Sequence, residues 1–260
     1  RRLGPAGGRS DASCPDGPAV TVLLLRLAGP MQAWGDASRF SRRDTRMVPS
    51  KSGVLGLLAA ADGRRRTDPI EDLARLRFGV RVDQPGRLQR DFQTAINWET
   101  THSMPLSYRY YVADAVYVAG IEGDRALLEA LARRVREPRF PLYLGRRSCP
   151  VTEPVFLALV EAELEQSLRE HPWQASSWYR RRQGAEVRLE LYVDADPGDA
   201  RPVETRRDVP ISYSPERREY GWREVAQAEP VVATNPARTV APVGAGTDWL
   251  AATKAAAEEA

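Results

Sequence analysis

Val20-Thr21-Val22-Leu23-Leu24-Leu25-Arg26-Leu27-Ala28-Gly29-Pro30 (20–30) is where the fold is decided. A run of β-branched and leucine side chains, broken once by Arg26 and stopped by Gly-Pro, reads as a buried strand over 20–27. Downstream, Pro49-Ser50-Lys51-Ser52-Gly53 leads into Val54-Leu55-Gly56-Leu57-Leu58-Ala59, a helix entered through a serine cap. Asp68-Pro69-Ile70-Glu71 combines a capping residue, a first-turn proline and an acid three positions on, and predicts a second short helix through Leu73 and Leu76. Phe78, Val80 and Val82 alternate with Arg77, Gly79 and Arg81 as a strand, and Ala115–Gly120 forms another. Leu127, Leu128, Leu131 and Val135 line one face of a helix whose other face carries Glu129, Arg133, Arg134 and Arg136. The apolar run 155–160 and the alternating Val187, Leu189, Leu191 and Val193 close the series.

Strand, helix, strand, then strand, helix, strand is the order of an α+β fold with a split βαβ, ferredoxin-like core. The stretch 1–19, rich in Gly, Pro, Arg and Ser, reads as a disordered extension. The stretch 226–260 runs through Pro230, Pro236 and Pro242 and reads as a flexible tail. One folded unit, 20–225, lies between them. Inside it, 84–111 is a long polar and aromatic connection with Phe92, Trp98, Tyr108, Tyr110 and Tyr111 among Arg87, Arg90 and Arg109. Connections of that length are usually functional or disordered. Rings that stack on bases beside guanidinium groups that hold phosphates suit single-stranded nucleic acid, and an ordinary hairpin packed on the body is the other reading.

Charge points the same way. Of 260 residues, 38 are basic and 35 acidic, yet 26–66 holds nine basic side chains against Asp36, Asp44 and Asp62. The segment 133–147 holds six arginines against Glu137, and Lys51 and Lys254 are the only lysines of the chain. An arginine-rich codon bias accounts for the composition but less well for the clustering. Guanidinium forks match phosphate oxygens, so an anionic polymer is the expected partner. No apolar run approaches the roughly 20 residues of a membrane helix, and no secretory signal pattern is visible, so the cytoplasm is the expected compartment. Cys14 and Cys149 make neither a disulfide framework nor a zinc site. Catalysis has little support: the two histidines, His102 and His171, stand apart, and no metal or cofactor is expected.

Three motifs carry the candidate contacts. In 25–35, Gln32 offers hydrogen bonds to base edges and Trp34 a stacking face, with a core position the favoured alternative for Trp34. In 39–52, Arg39, Arg42, Arg43 and Lys51 join Thr45, Ser50 and Ser52 just before a helix N-terminus, where N–H groups attract phosphate. That stretch lacks the glycines of a nucleotide-binding G-x-x-x-x-G-K loop, which excludes triphosphate hydrolysis there. In 143–150, Gly145, Arg146, Arg147 and Ser148 form a glycine loop able to clamp a backbone, with Cys149 as a small buried filler.

At these places, L-R-L-A-G-P-M-Q-A-W-G (25–35), P-S-K-S-G-V-L-G-L-L-A-A-A (49–61) and P-L-Y-L-G-R-R-S-C-P (141–150), the chain resembles the CasD family, the RAMP subunit of type I-E CRISPR Cascade. The likeness spans about 20–222, taking in Tyr108-Arg109-Tyr110-Tyr111 and Arg207-Asp208-Val209-Pro210. It implies a palm with a ferredoxin-like core and a protruding thumb at 84–111. It further implies a non-catalytic role in antiviral defence, in which palm and glycine loop cap the five-prime handle of crRNA. Tyr108, Arg109 and Tyr110 would act in the thumb, over a neighbouring backbone subunit of the Cas seven family. The large subunit of the Cas eight family, CasA, would dock alongside, so that target DNA is met indirectly. Related subfamilies cut repeat RNA as metal-independent endoribonucleases, which is the alternative function; a scaffold that touches only protein is the third.

Overall fold

The computed structural model describes residues 20–35 and 42–237. The strands are β1 (Thr21–Ala28), β2 (Met31–Gln32), β3 (Arg42–Arg43), β4 (Arg77–Gln84), β5 (Arg87–Gln93), β6 (Ser107–Ala113), β7 (Val116–Gly123), β8 (Phe156–Glu161), β9 (Glu186–Asp194), β10 (Val203–Ser212) and β11 (Glu219–Thr234). The helices are α1 (Lys51–Asp62), α2 (Glu71–Ala74), α3 (Arg125–Arg136), α4 (Leu164–Glu170) and α5 (Ser177–Arg180).

The larger sheet has seven strands in the order β10-β11-β9-β4-β7-β1-β8, each antiparallel to its neighbours. β1 lies between β7 and β8, second from one edge, and is buried on both faces, which is why it reads as an apolar run broken only by Arg26 rather than as an alternation. Leu23, Leu25 and Leu27 face one core with Leu55 and Leu58 of α1 and Leu128 and Leu131 of α3. Val22 and Leu24 face a second core with Leu164 and Leu168 of α4. α1 starts where the Ser50 side chain accepts from the Gly53 N–H at 3.3 Å, and α3 where Asp124 accepts from Leu127 at 2.9 Å.

The smaller sheet is organised on β6. β5 pairs with its whole length, β3 runs parallel to its start and β2 antiparallel to its end. The connection 84–111 is therefore mostly the β5–β6 hairpin. Its expected limits are displaced: Gln84 ends β4, while the hairpin runs from Arg87 to Ala113 and carries Tyr111 into the first core. At the tip, Asn97 Oδ1 accepts from the Glu99 N–H at 2.9 Å, and Trp98 stands 85% exposed.

Two expectations need correction. α2 begins at Glu71 rather than behind an Asp68 cap, because Asp68 Oδ2 is already taken by the Arg65 N–H at 2.7 Å. The tail does not begin at 226: residues 226–234 are the second half of β11, paired with β9, and Ala226 and Ala228 are buried. Pro230 falls in the register shift between Ala228 and Val231, where a strand tolerates a missing N–H. The expected extension 1–19, Arg39 and the tail beyond 237 lie outside the described residues. Among the described residues no helix is long and apolar enough to cross a membrane.

Candidate nucleic-acid interface

Three segments far apart in sequence meet at Arg146. Its Nη1 donates to the Tyr110 carbonyl at 3.0 Å and its Nη2 to the Arg43 carbonyl at 2.9 Å, while the guanidinium sits 4.7 Å from the Tyr111 ring centroid. One side chain thus ties the glycine loop to β3 and β6. The loop is seated from its other end as well, by the Ala33 N–H donating to the Leu144 carbonyl at 3.0 Å. Gly145 makes this approach possible. Its φ is +85°, and a Cβ there would stand 1.8 Å from the Ala33 carbonyl oxygen, so no other residue fits. Leu144 and Cys149 close the underside of the loop and are fully buried, and burial pushes the Cys149 thiol up, which suits a filler rather than a nucleophile.

Around this clasp the exposed groups are cationic and aromatic. Arg42 and Arg43 on β3 and Arg147 and Ser148 on the loop are exposed. Arg42 lies 5.3 Å from the Tyr110 ring centroid and is held by Asp44 at 2.8 Å. Along the hairpin, Phe92 is opposite Tyr108 and Arg90 opposite Tyr110, and opposed residues share a face. Phe92 is 65% and Tyr108 39% exposed, and the Arg90 guanidinium lies 5.7 Å from the Tyr108 ring. Arg109, on the other face, pairs in register with Asp91 and Arg43, and its buried Nε has no hydrogen-bond partner. The result is a surface with unspent guanidinium donors beside open ring faces, the chemistry that phosphates and unstacked bases require.

Six of the expected contact residues leave this surface. Gln32 is fully buried: its Nε2 donates to the carbonyls of Leu27 at 3.2 Å and Ala115 at 2.8 Å, and its Oε1 accepts from the Trp34 indole at 3.0 Å. Every hydrogen of that amide is spent, so it reads no base, and Trp34 beside it is a core residue. Thr45 Oγ1 accepts from the Trp34 N–H at 2.8 Å and holds the turn. Ser50 is the α1 cap, and the Ser52 side chain is buried below it. Lys51 Nζ is bound to Asp194 at 2.9 Å, and its N–H to Asp208 at 2.8 Å. Arg223 bridges the same two carboxylates, at 2.5 Å to Asp194 and 2.6 Å to Asp208. The α1 N-terminus therefore already holds a carboxylate of this chain where a phosphate was expected.

Arg90 and Phe92 were visible as part of an arginine–aromatic stretch but absent from the candidate set. Their signal is the two-residue spacing that places them opposite Tyr110 and Tyr108. His102 is exposed at the hairpin tip. His171 lies beside the buried Arg81–Asp83 pair, its pKa lowered by burial and then by the Arg81 charge. Among the described residues no cluster of His, Cys, Asp and Glu could hold a metal ion.

A family model described as CRISPR-associated protein (Cas_Cas5) matches residues 22–226. Over 162 residues, 55% of this chain and 72% of the relative, the sequence is 35% identical to the CRISPR system Cascade subunit CasD of Escherichia coli (strain K12). A solved structure titled Crystal structure of Cas protein is 39% identical with a TM-score of 0.63, covering 85% of this chain and 99% of the other. A chain from a CRISPR RNA-guided surveillance complex is 29% identical with a TM-score of 0.66, covering 90% of this chain and 99% of that one.

Proposed function

The chain belongs to the CRISPR-associated Cas5 family, and from that membership we propose that it is a non-catalytic crRNA-binding subunit of a type I-E Cascade surveillance complex. It caps the five-prime handle of the crRNA. The observation that carries this reading is the convergence of Arg42, Arg43 and Arg147 with Tyr108 and Tyr110 around the Arg146 clasp. The guanidinium groups hold phosphates, and Tyr108 with Phe92 receives an unstacked base or a partner's apolar side chain. In strand order β8-β1-β7-β4 with α1 and α3 on one face supports a ferredoxin-like palm, and the β5–β6 hairpin, with Trp98 at its tip, is the thumb that lies over a Cas seven family backbone subunit. A Cas eight family large subunit, CasA, docks alongside and meets the target DNA.

The test is binding of the full chain to synthetic repeat RNA with and without the handle, across a salt series in chelator. Handle-dependent binding without cleavage is expected. Arg43→Ala and Arg147→Ala each flatten the slope of log affinity against log salt by about one unit. An unchanged slope in both removes them from the interface, and cleavage abolished by His102→Ala moves the protein to the endoribonuclease class.

A further inference from the structure

A second basic surface lies at the opposite end of α1 from Ser50, about 18 Å away for 12 residues at 1.5 Å each. Here the C-termini of α1 and α3 are stitched together: the Arg139 and Phe140 N–H groups donate to the carbonyls of Ala61 at 3.0 Å and Ala60 at 3.3 Å. The Arg139 side-chain stem lies over Gly63. The stitching brings 64–66 beside 133–139, and Arg65, Arg66, Arg133, Arg134, Arg136 and Arg139 are all exposed there.

Many arginines elsewhere on the molecule are committed to carboxylates. Arg26, Arg64, Arg77, Arg125, Arg169, Arg201, Arg206 and Arg223 are each paired with a carboxylate. In this patch Arg134 has a long contact to Asp62 at 3.5 Å, and Arg136 lies 3.6 Å from the Phe156 ring centroid. Among the described residues, the guanidinium groups of Arg65, Arg66, Arg133 and Arg139 form no ion pair or side-chain hydrogen bond. Asp62, Ala130, Arg133, Arg134 and Glu137 line an open concavity of about 330 Å³ between the two helix ends. Complementing the negative end of the α3 dipole accounts for Arg133, Arg134 and Arg136, and Arg139 over Gly63 stands at that of α1, but Arg65 and Arg66 lie outside both helices.

We propose that this surface is a second nucleic-acid contact, separate from the Arg146 groove, that holds the phosphate backbone of a duplex without reading its sequence. A protein partner would require an apolar centre, as protein interfaces have. The lining offers only Ala130, with Phe140 at the border, and is otherwise charged. A polar surface of unpaired guanidinium forks is the composition of a backbone-binding face. The inference takes only its class of ligand from the function proposed above, and the two surfaces are tested apart.

The full chain, and a variant carrying Arg65→Gln, Arg66→Gln, Arg133→Gln and Arg139→Gln, are titrated with duplex DNA and duplex RNA of arbitrary sequence across a salt series. Handle RNA is run in parallel. Because each phosphate contact contributes about 0.9 to the slope on a duplex, the fourfold variant loses about three to four units there and keeps its handle-RNA slope. Loss on both duplexes assigns the ligand to phosphate chemistry alone, and loss on one identifies the source. The double variant Arg65→Gln/Arg133→Gln spares the Arg139 stem on Gly63 and loses about half as much slope, which separates binding from any folding defect. An unchanged duplex slope in both variants, or no duplex binding by the unsubstituted chain, overturns the proposal. Loss of complex subunits with the slope intact overturns it in favour of an acidic protein partner. A failure of the groove reading shows separately, as handle-RNA affinity indifferent to Arg43→Ala and Arg147→Ala.

Discussion

Replacing Gly145 by alanine isolates what seats the RNA-facing loop. A non-glycine residue at φ +85° costs about 1–2 kcal/mol in backbone strain alone. The added Cβ also meets the Ala33 carbonyl oxygen at 1.8 Å, and that obstacle is backbone, so no side chain can swing away. The loop must move by more than an ångström, which breaks the 3.0 Å bond from the Ala33 N–H to the Leu144 carbonyl. A buried donor left without its partner costs about 1–3 kcal/mol. Together these amount to about 2–5 kcal/mol against the seated loop. At about 1.4 kcal/mol per tenfold, that is a fall of 30-fold or more in the equilibrium constant for seating, and handle-RNA affinity falls with the fraction of seated loop, approaching the full factor once the unseated loop predominates. Gly198→Ala is the control: its φ is +82°, but nothing lies within 4 Å of the added Cβ. Urea unfolding and RNA binding are measured on both. Gly198→Ala shows the strain and keeps its RNA affinity. If Gly145→Ala matches Gly198→Ala in both assays, the loop is not seated on Ala33 and the construction of the site described above is wrong.

Two other perturbations probe the frame. Asp83→Asn breaks a fully buried pair in which Asp83 accepts from Arg81 Nε at 2.7 Å and Nη2 at 2.9 Å and from the Gln174 N–H at 2.5 Å, so a loss of about 3–5 kcal/mol is expected in denaturant melts. The stability-versus-pH curve has an acid limb from Asp208. Burial by itself raises this carboxyl, but the Arg223 hydrogen bonds and charge outweigh it and hold it below the ordinary 3.8. A depressed folded pKa gives stability that is fully present above the unfolded value and is lost as pH falls through the folded one. Melts between pH 5 and 2 therefore show a decline that begins near pH 4, and Asp208→Asn, less stable at neutral pH, shows a shallower one.

What could be read from the residues follows from what they do. β1, α1, β4, β7 and α3 bury long apolar sets, and such sets announce themselves. β10 and β11 do not: Glu204, Arg206, Arg207 and Asp208 crowd the first, and Pro230 interrupts the second, so charge and proline hid a ladder that runs to Thr234. The site was half legible. Arginine clustering marks Arg42, Arg43 and Arg147 because exposure is their normal state. It misplaces Gln32 and Lys51, whose partners Ala115 and Asp194 lie 83 and 143 residues away. A polar side chain in a basic neighbourhood has the same letter whether it faces water or completes a buried network, and only the tertiary partner decides.

Arg146 reaches a carbonyl 103 residues before it on β3 and another 36 residues before it on β6. During synthesis, a chain that has emerged only through α3 carries both basic strands of the site but nothing to join them. Elongation delivers residues one by one from the N-terminus, so competence to hold RNA arrives as a late step, when the loop after α3 closes on strands made long before. A truncated product ending short of that loop is a fragment without the groove rather than a weakened version of it.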